Sequence, residues 1–159
     1  MYIRPIQKSD NPKIAKVIRD VMVEHDIDKP GSVFTDPTTD RLFELFMKPN
    51  SAYWIVELHG EIVGGCGIYP TTGLPEGCVE LVKLYLLKST RGIGLGKKLM
   101  QKCIKQAGEL GFTKVYLESM PELNNAIGLY ESLDFKLLDA PLGDTGHYAC
   151  DVWMIHEIN

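Results

Sequence analysis

Residues 78–111, CVELVKLYLLKSTRGIGLGKKLMQKCIKQAGELG, decide how the rest of the chain is read. Val79 to Leu87 is dense in Val, Leu and Tyr, is interrupted only by Glu80 and Lys83, and reads as a buried strand. A tight loop follows from Lys88 to Gly94, with Ser89 and Thr90 available as caps and Gly92, Gly94 and Gly96 spaced by two. Leu95, Leu99, Cys103, Ala107 and Leu110 then recur at spacings of three and four, which predicts an amphipathic helix. Lys97, Lys98, Lys102 and Lys105 take its other face and Gly111 is its stop. Glycines opening a helix let backbone N–H groups come close to a ligand. The unpaired donors and partial positive charge of the helix start suit a phosphate.

The rest of the chain bounds what surrounds this unit. At 159 residues, one domain spanning 1–159 is expected, long enough to bury a core. A net charge of -4 argues against general nucleic-acid binding, while the lysines gathered between 83 and 105 suit a small anionic ligand. Cys66, Cys78, Cys103 and Cys150 are far apart, with no C-x-x-C and no histidine at metal spacing, so they read as reduced core thiols of a cytosolic protein without a metal. Cys66 has no assignable base and makes a poor nucleophile candidate. No apolar run approaches the ~18 residues of a membrane span, and MYIRPIQKSD is not expected to act as a signal peptide.

In order, Met1–Ile6 reads as a strand and Pro12–Val23 as a helix capped by Ser9 or Asp10, with Ile14, Val17, Ile18, Val21 and Met22 as its stripe. A second helix is expected over Thr39–Met47 after an irregular stretch. Strands over Ser51–Leu58 and Glu61–Tyr69 flank the two-residue turn His59-Gly60. Gly64, Gly65 and Gly67 predict a bulge or a close approach by another group. After the central unit come a strand at Lys114–Glu118, a helix from Pro121 to Leu133, and strands over Phe135–Leu138 and His147–Ile158. Strand, helix, strand at this length predicts a parallel crossover. The whole is an α/β fold with a mixed sheet flanked by helices.

Arg91-Gly92-Ile93-Gly94-Leu95-Gly96 resembles the R/Q-x-x-G-x-G/A signature of the GNAT superfamily of N-acetyltransferases. Glu80–Leu86 is similar to that family's fourth strand, and Ala126–Phe135 to its A-x-x-L-Y-E-x-x-G-F helix end. The resemblance covers the chain in order. It implies the GNAT fold and acetyl-CoA as co-substrate. The pyrophosphate would sit on the backbone of Gly92 to Lys97, with Arg91 adding charge or bracing the loop. It also implies that backbone of Leu84, Tyr85 and Leu86 pairs with the pantetheine and polarises the thioester beside a bulge. Two departures stand out. Asp134 replaces the glycine of G-F, which raises the expectation of an altered turn. Leu123 stands where an asparagine usually contacts the coenzyme, with Asn124 or Asn125 as substitutes.

Acetyl transfer to an amine also needs a base, because an alkyl ammonium has a pKa near ~10. Glu80, a carboxylate in an apolar strand, is the first candidate, since burial raises a carboxylate's pKa. It also matches the family glutamate; paired with Lys83 it would be structural instead. Glu118 and His147 follow. For the acid that protonates the leaving thiolate, the resemblance points to Tyr130. The acceptor is a small-molecule or peptide amine, which Asp26, Asp28, Phe34 and Asp36 could meet. A homodimer is compatible with an exposed sheet edge. Two rivals remain: a dinucleotide-binding module with Glu118 on a ribose, and a non-catalytic acyl-CoA-binding sensor. The first is weakened by the last glycine spacing, since G-x-G-x-x-G would place its third glycine at Lys97.

Overall fold

Side-chain alternation along Ala52–Leu58 sets a three-layer plan: Tyr53 and Ile55 turn to one face of the sheet, Trp54 and Val56 to the other. The computed structural model describes residues 1–146 and 148–159, with Asn124 described through its backbone alone. The chain runs β1 (Tyr2–Pro5), α1 (Asn11–Glu24), α2 (Leu42–Leu45), β2 (Ala52–Leu58), β3 (Glu61–Tyr69), β4 (Cys78–Leu86), α3 (Leu95–Glu109), β5 (Lys114–Ser119), α4 (Asn124–Glu131), β6 (Lys136–Leu138) and β7 (Val152–Glu157). The strands form one sheet in the order β1-β2-β3-β4-β5-β7-β6, parallel between β4 and β5 and antiparallel at every other pairing. Helices α1 and α2 cover one face through Ile14, Ile18, Met22, Leu42 and nearby Phe46. Helix α3 covers the other through Leu95, Leu99, Met100, Cys103 and Ala107, joined by Tyr130 from α4.

Several expected boundaries move for local reasons. The helix expected over 39–47 is a 3-10 turn at Pro37–Arg41 followed by the one-turn α2. Asp36 starts it by accepting from the Thr38 amide at 2.9 Å, which caps a tight turn. The helix from Pro121 likewise opens as a 3-10 turn at Pro121–Leu123. The last strand begins at Val152, because its ladder with β5 ends at the Ser119–Val152 pair. Asp10 stands at the start of α1, yet its carboxylate serves Arg4 (2.8 and 3.0 Å) and the Gln7 amide (2.7 Å). Neither Ser89 nor Thr90 caps α3; Gly94 does, at φ +81 and with no side-chain acceptor.

The β3 glycines are explained by close approach. A Cβ on Gly65 would lie 2.5 Å from the Tyr53 ring, and one on Gly67 2.6 Å from the same ring and 2.9 Å from Phe46. On Gly64 it would meet the Tyr85 carbonyl oxygen at 2.2 Å, a backbone atom that cannot swing away. Gly64→Ala is expected to destabilise the protein by about 3 kcal/mol, lowering the thermal midpoint by roughly 6–12 °C. A midpoint within about 2 °C of the parent would show that β3 and β4 can separate there at little cost.

Asp134 does not alter the turn after α4. It adopts the left-handed φ of +63, and the Phe135 amide reaches the Tyr130 carbonyl (3.1 Å) while the Asp134 amide reaches Glu131 (3.0 Å). This is the Schellman ending that glycine favours. Because a side chain in that region costs up to ~1–2 kcal/mol, Asp134→Gly is expected to raise the midpoint by about 2–4 °C, read by calorimetry. A lowered midpoint would mean that the Asp134 side chain offsets its own strain.

Candidate active site

The site begins where β4 and β5 part. Their parallel ladder holds Cys78–Lys114, Val79–Val115 and Glu80–Tyr116, then ends. On its other side, β4 spends three steps (Val82 to Tyr85) against two on β3 (Gly65 to Gly67). The extra residue makes a bulge at Lys83, held at the left-handed φ of +53. The bulge is pinned from β2: Tyr53 lies across the small Gly65-Cys66-Gly67 segment and donates its hydroxyl to the Lys83 carbonyl at 2.9 Å. Burial raises the Tyr53 phenol far above its ordinary pKa, so this donor keeps its proton. β3 has an irregularity of its own, one extra residue at Val63 against β2 beside Gly64, as its glycines predicted, while Gly65 and Gly67 make room for the tyrosine that holds the β4 bulge.

The cleft opened by this splay is lined by Glu80 to Tyr85 on one wall and Leu117 to Met120 on the other, closed by Leu123, Tyr130 and Cys150. Glu80 is buried at 4% exposure, and the Thr71 hydroxyl donates to its Oε2. Lys83 does not pair with Glu80; its ammonium lies 3.5 Å from Asp36 on the loop before α2. Burial pulls the Lys83 pKa below the lysine range, and Asp36 and Glu80 act against that. Glu118 also lines the cleft, but accepts hydrogen bonds from Tyr116 (2.7 Å) and Thr145. His147 lies outside the described residues. Of the loop residues expected to meet an acceptor, Asp36 reaches this region, while Asp26 and Asp28 are exposed away from the cleft lining.

Tyr130 comes from α4 and is buried at 5% exposure. Burial, chiefly, raises its pKa above the ordinary tyrosine value; the Ser119 hydroxyl acts weakly the other way. Ser119 Oγ is itself buried without a well-formed hydrogen bond among the described residues. Cys66 and Cys103 are fully buried, and burial raises the Cys66 thiol far from a nucleophile's range. Cys150 departs from the core reading. It lines the cleft, with its thiol pushed up to about 12 mainly by burial and then by Glu118 and Glu80.

Below β4 the glycine loop meets α3. Gly92 and Gly94 have φ of +77 and +81, and a Cβ on either would find nothing within 4 Å. Glycine is required there by backbone conformation, and the surface above it is open. Gly96 differs, since a Cβ would sit 2.9 Å from the tip of the Leu129 side chain, which would have to turn aside. Of the two roles open to the Arg91 side chain, the structure shows bracing. Its guanidinium donates to Glu24 at 2.7 and 2.8 Å and to the Leu86 carbonyl at 3.0 and 2.9 Å. Ile93 and Lys97 are exposed at the loop, and Leu95 is buried beneath it. Leu84 and Leu86 pack toward α3, and Tyr85 packs toward α1 and lines the cleft, its buried phenol interacting with Cys150 and Tyr130. Asn125 is exposed and outside the cleft lining, whereas Leu123 faces it; the Asn124 side chain is not described.

A bulged fourth strand followed by a glycine-led helix is the arrangement that the resemblance implied. The family model described as "Acetyltransferase (GNAT) family" matches residues 19–135. The chain belongs to the GNAT acetyltransferase family. Among GNAT relatives, the uncharacterized N-acetyltransferase YjgM of Escherichia coli K12 is 46% identical over 158 residues, covering 98% of this chain and 94% of its own. N-acetyltransferase 8 of Rattus norvegicus is 31% identical over 110 residues, 68% of this chain and 50% of that longer protein. A GNAT acetyltransferase from Staphylococcus aureus Mu50 shares the fold at a TM-score of 0.87 with 19% identity, over 99% of each chain. The structure of yncA from Salmonella typhimurium, solved with its cofactor acetyl-CoA, aligns at 0.76 with 20% identity, over 100% of this chain and 94% of that one. As a GNAT member the protein is an acyltransferase enzyme. The dinucleotide reading falls with the antiparallel β3–β4 pairing, since a doubly wound dinucleotide sheet is mostly parallel. No helix among the described residues is long and apolar enough to cross a membrane.

Proposed function

We propose that residues 1–159 act as one domain that transfers acetyl from acetyl-CoA directly to a primary amine. The carrying observation is that Glu80 and Tyr130 line one cleft, whose β4 wall runs out to the open left-handed glycines at the start of α3. In this reading the amides from Gly92 to Lys97 take the pyrophosphate, and Arg91 fixes the loop that presents them. Backbone of Leu84 to Leu86, released from β5, pairs with the pantetheine and polarises the thioester carbonyl. Acetyl-CoA supplies the activated acyl group. Glu80, through a water, removes one proton of the acceptor ammonium, and the freed amine attacks the thioester carbonyl to form the C–N bond. As the C–S bond breaks, Tyr130 gives its proton to the sulfur and regains one, the second proton that the nitrogen sheds in becoming the amide. The raised Tyr130 pKa supports an acid that stays protonated across the working pH range.

Thermal denaturation with acetyl-CoA, NADH and ATP in parallel tests the coenzyme. Acetyl-CoA at a hundred times its dissociation constant adds ~2.7 kcal/mol, so a midpoint rise of roughly 5–10 °C is expected with acetyl-CoA alone. No rise with saturating acetyl-CoA overturns the reading.

A further inference from the structure

Resting on that reading, we propose that Lys83 recognises a carboxylate of the acceptor, which makes the acceptor an amino acid: its amine toward Glu80, its carboxylate on Lys83 Nζ. The cost of keeping this lysine is plain. A lysine is rarely left buried, and a left-handed φ strains any side-chain-bearing residue, yet Lys83 has both at the one bulge in β4. Its side chain is 3% exposed. An ammonium has three donors, and among the described residues this one meets a single acceptor, Asp36 Oδ2, at 3.5 Å. That distance is beyond ordinary hydrogen-bond length. The other Asp36 oxygen is engaged by the Thr38 amide and hydroxyl, which holds the carboxylate toward its own turn. A buried ammonium so poorly matched is a site for a further anion.

Position determines which anion. Glu80 and Lys83 would face opposite sides of a regular strand, being three residues apart. The bulge changes that: Val82 and Tyr85, also three apart, both pack on the α1 side, and Glu80 and Lys83 line the same cleft. The two charges are separated by about 10 Å of strand at most and interact electrostatically. A single small molecule with an ammonium at one end and a carboxylate a few bonds away spans them with matching sign. An amine without the carboxylate would leave the Lys83 donors as they are.

Acetylation of matched pairs by the intact protein tests this: leucine against isopentylamine, phenylalanine against phenethylamine, lysine against cadaverine. The carboxylate-bearing member is expected to have kcat/KM about 30-fold higher in at least one pair, the worth of a charge-assisted hydrogen bond in a buried site. Lys83→Met should collapse that preference to within about threefold, whatever it does to the absolute rate of either member. Equal rates within every pair, faster decarboxylated amines, or no transfer to any member by protein that binds acetyl-CoA would each overturn the proposal. If Lys83→Met fails to fold, the pairs on the unaltered protein decide alone. Failure to bind acetyl-CoA at all would instead overturn the proposed function.

Discussion

Glu80→Gln is expected to lower kcat/KM for the amine about 100- to 1,000-fold at pH 7, with acetyl-CoA affinity unchanged within about twofold. The substitution conserves shape, and the amide oxygen can still accept from the Thr71 hydroxyl. What it removes is a proton acceptor, and neither Glu118 nor Cys150 in the same cleft is placed to replace it. Glu118 is held by Tyr116 and Thr145, and Cys150 is protonated well beyond neutral pH. The pH dependence separates a lost base from a lost contact. With Glu80 gone, transfer depends on the small fraction of acceptor already present as free amine. The variant's rate should then climb nearly tenfold per pH unit toward the amine's own pKa near ~10, while the parent rises less steeply. Glu118→Gln measured alongside should cost far less. A larger loss there, or Glu80→Gln within about threefold of the parent, would move the base elsewhere.

The parts of this site that were legible in sequence are those carried by local pattern. The Val-Leu-Tyr run, the glycines and the three-four spacing after them place β4, the loop and α3 within a residue of where they stand, because burial and left-handed φ each demand particular residue types. Leu110 shows the limit of that reading: it continues the apolar stripe, yet it is 37% exposed, since α3 ends at Glu109 and turns at Gly111. What the sequence hid is what depends on two distant segments meeting. Lys83 reads as an interruption in a strand; only the register shift against β3 makes it a bulge residue facing Asp36, 47 residues away. Tyr53 reads as one more aromatic in an alternating strand. Its role needed Gly65 and Gly67 seen beside it, and Gly-x-Gly opposite a tyrosine was the available signal. Arg91 belongs to the family signature, but its bracing role appears only with Glu24 at the far end of α1.

Tyr130→Phe is expected to reduce kcat about 100-fold while KM for the acceptor and the affinity for acetyl-CoA stay within about twofold. The phenyl ring keeps its place in the core cluster and its 6.2 Å contact with Phe135, so the fold has no reason to change. The Ser119 hydroxyl beside it, without a well-formed hydrogen bond already, loses little. Only the proton is lost. A thiolate is a poorer leaving group when nothing protonates it as the C–S bond breaks, and that deficit arises in the transition state, which is why kcat carries it. Because burial raises the Tyr130 pKa, the parent should keep its proton, and hence this contribution, as pH rises past the ordinary tyrosine range near ~10; no alkaline loss from this group is expected at lower pH. If the parent turns over and Tyr130→Phe matches its kcat, the proton for sulfur comes from another group, and the Cys150 thiol, which lines the same cleft and retains its proton, becomes the next to replace.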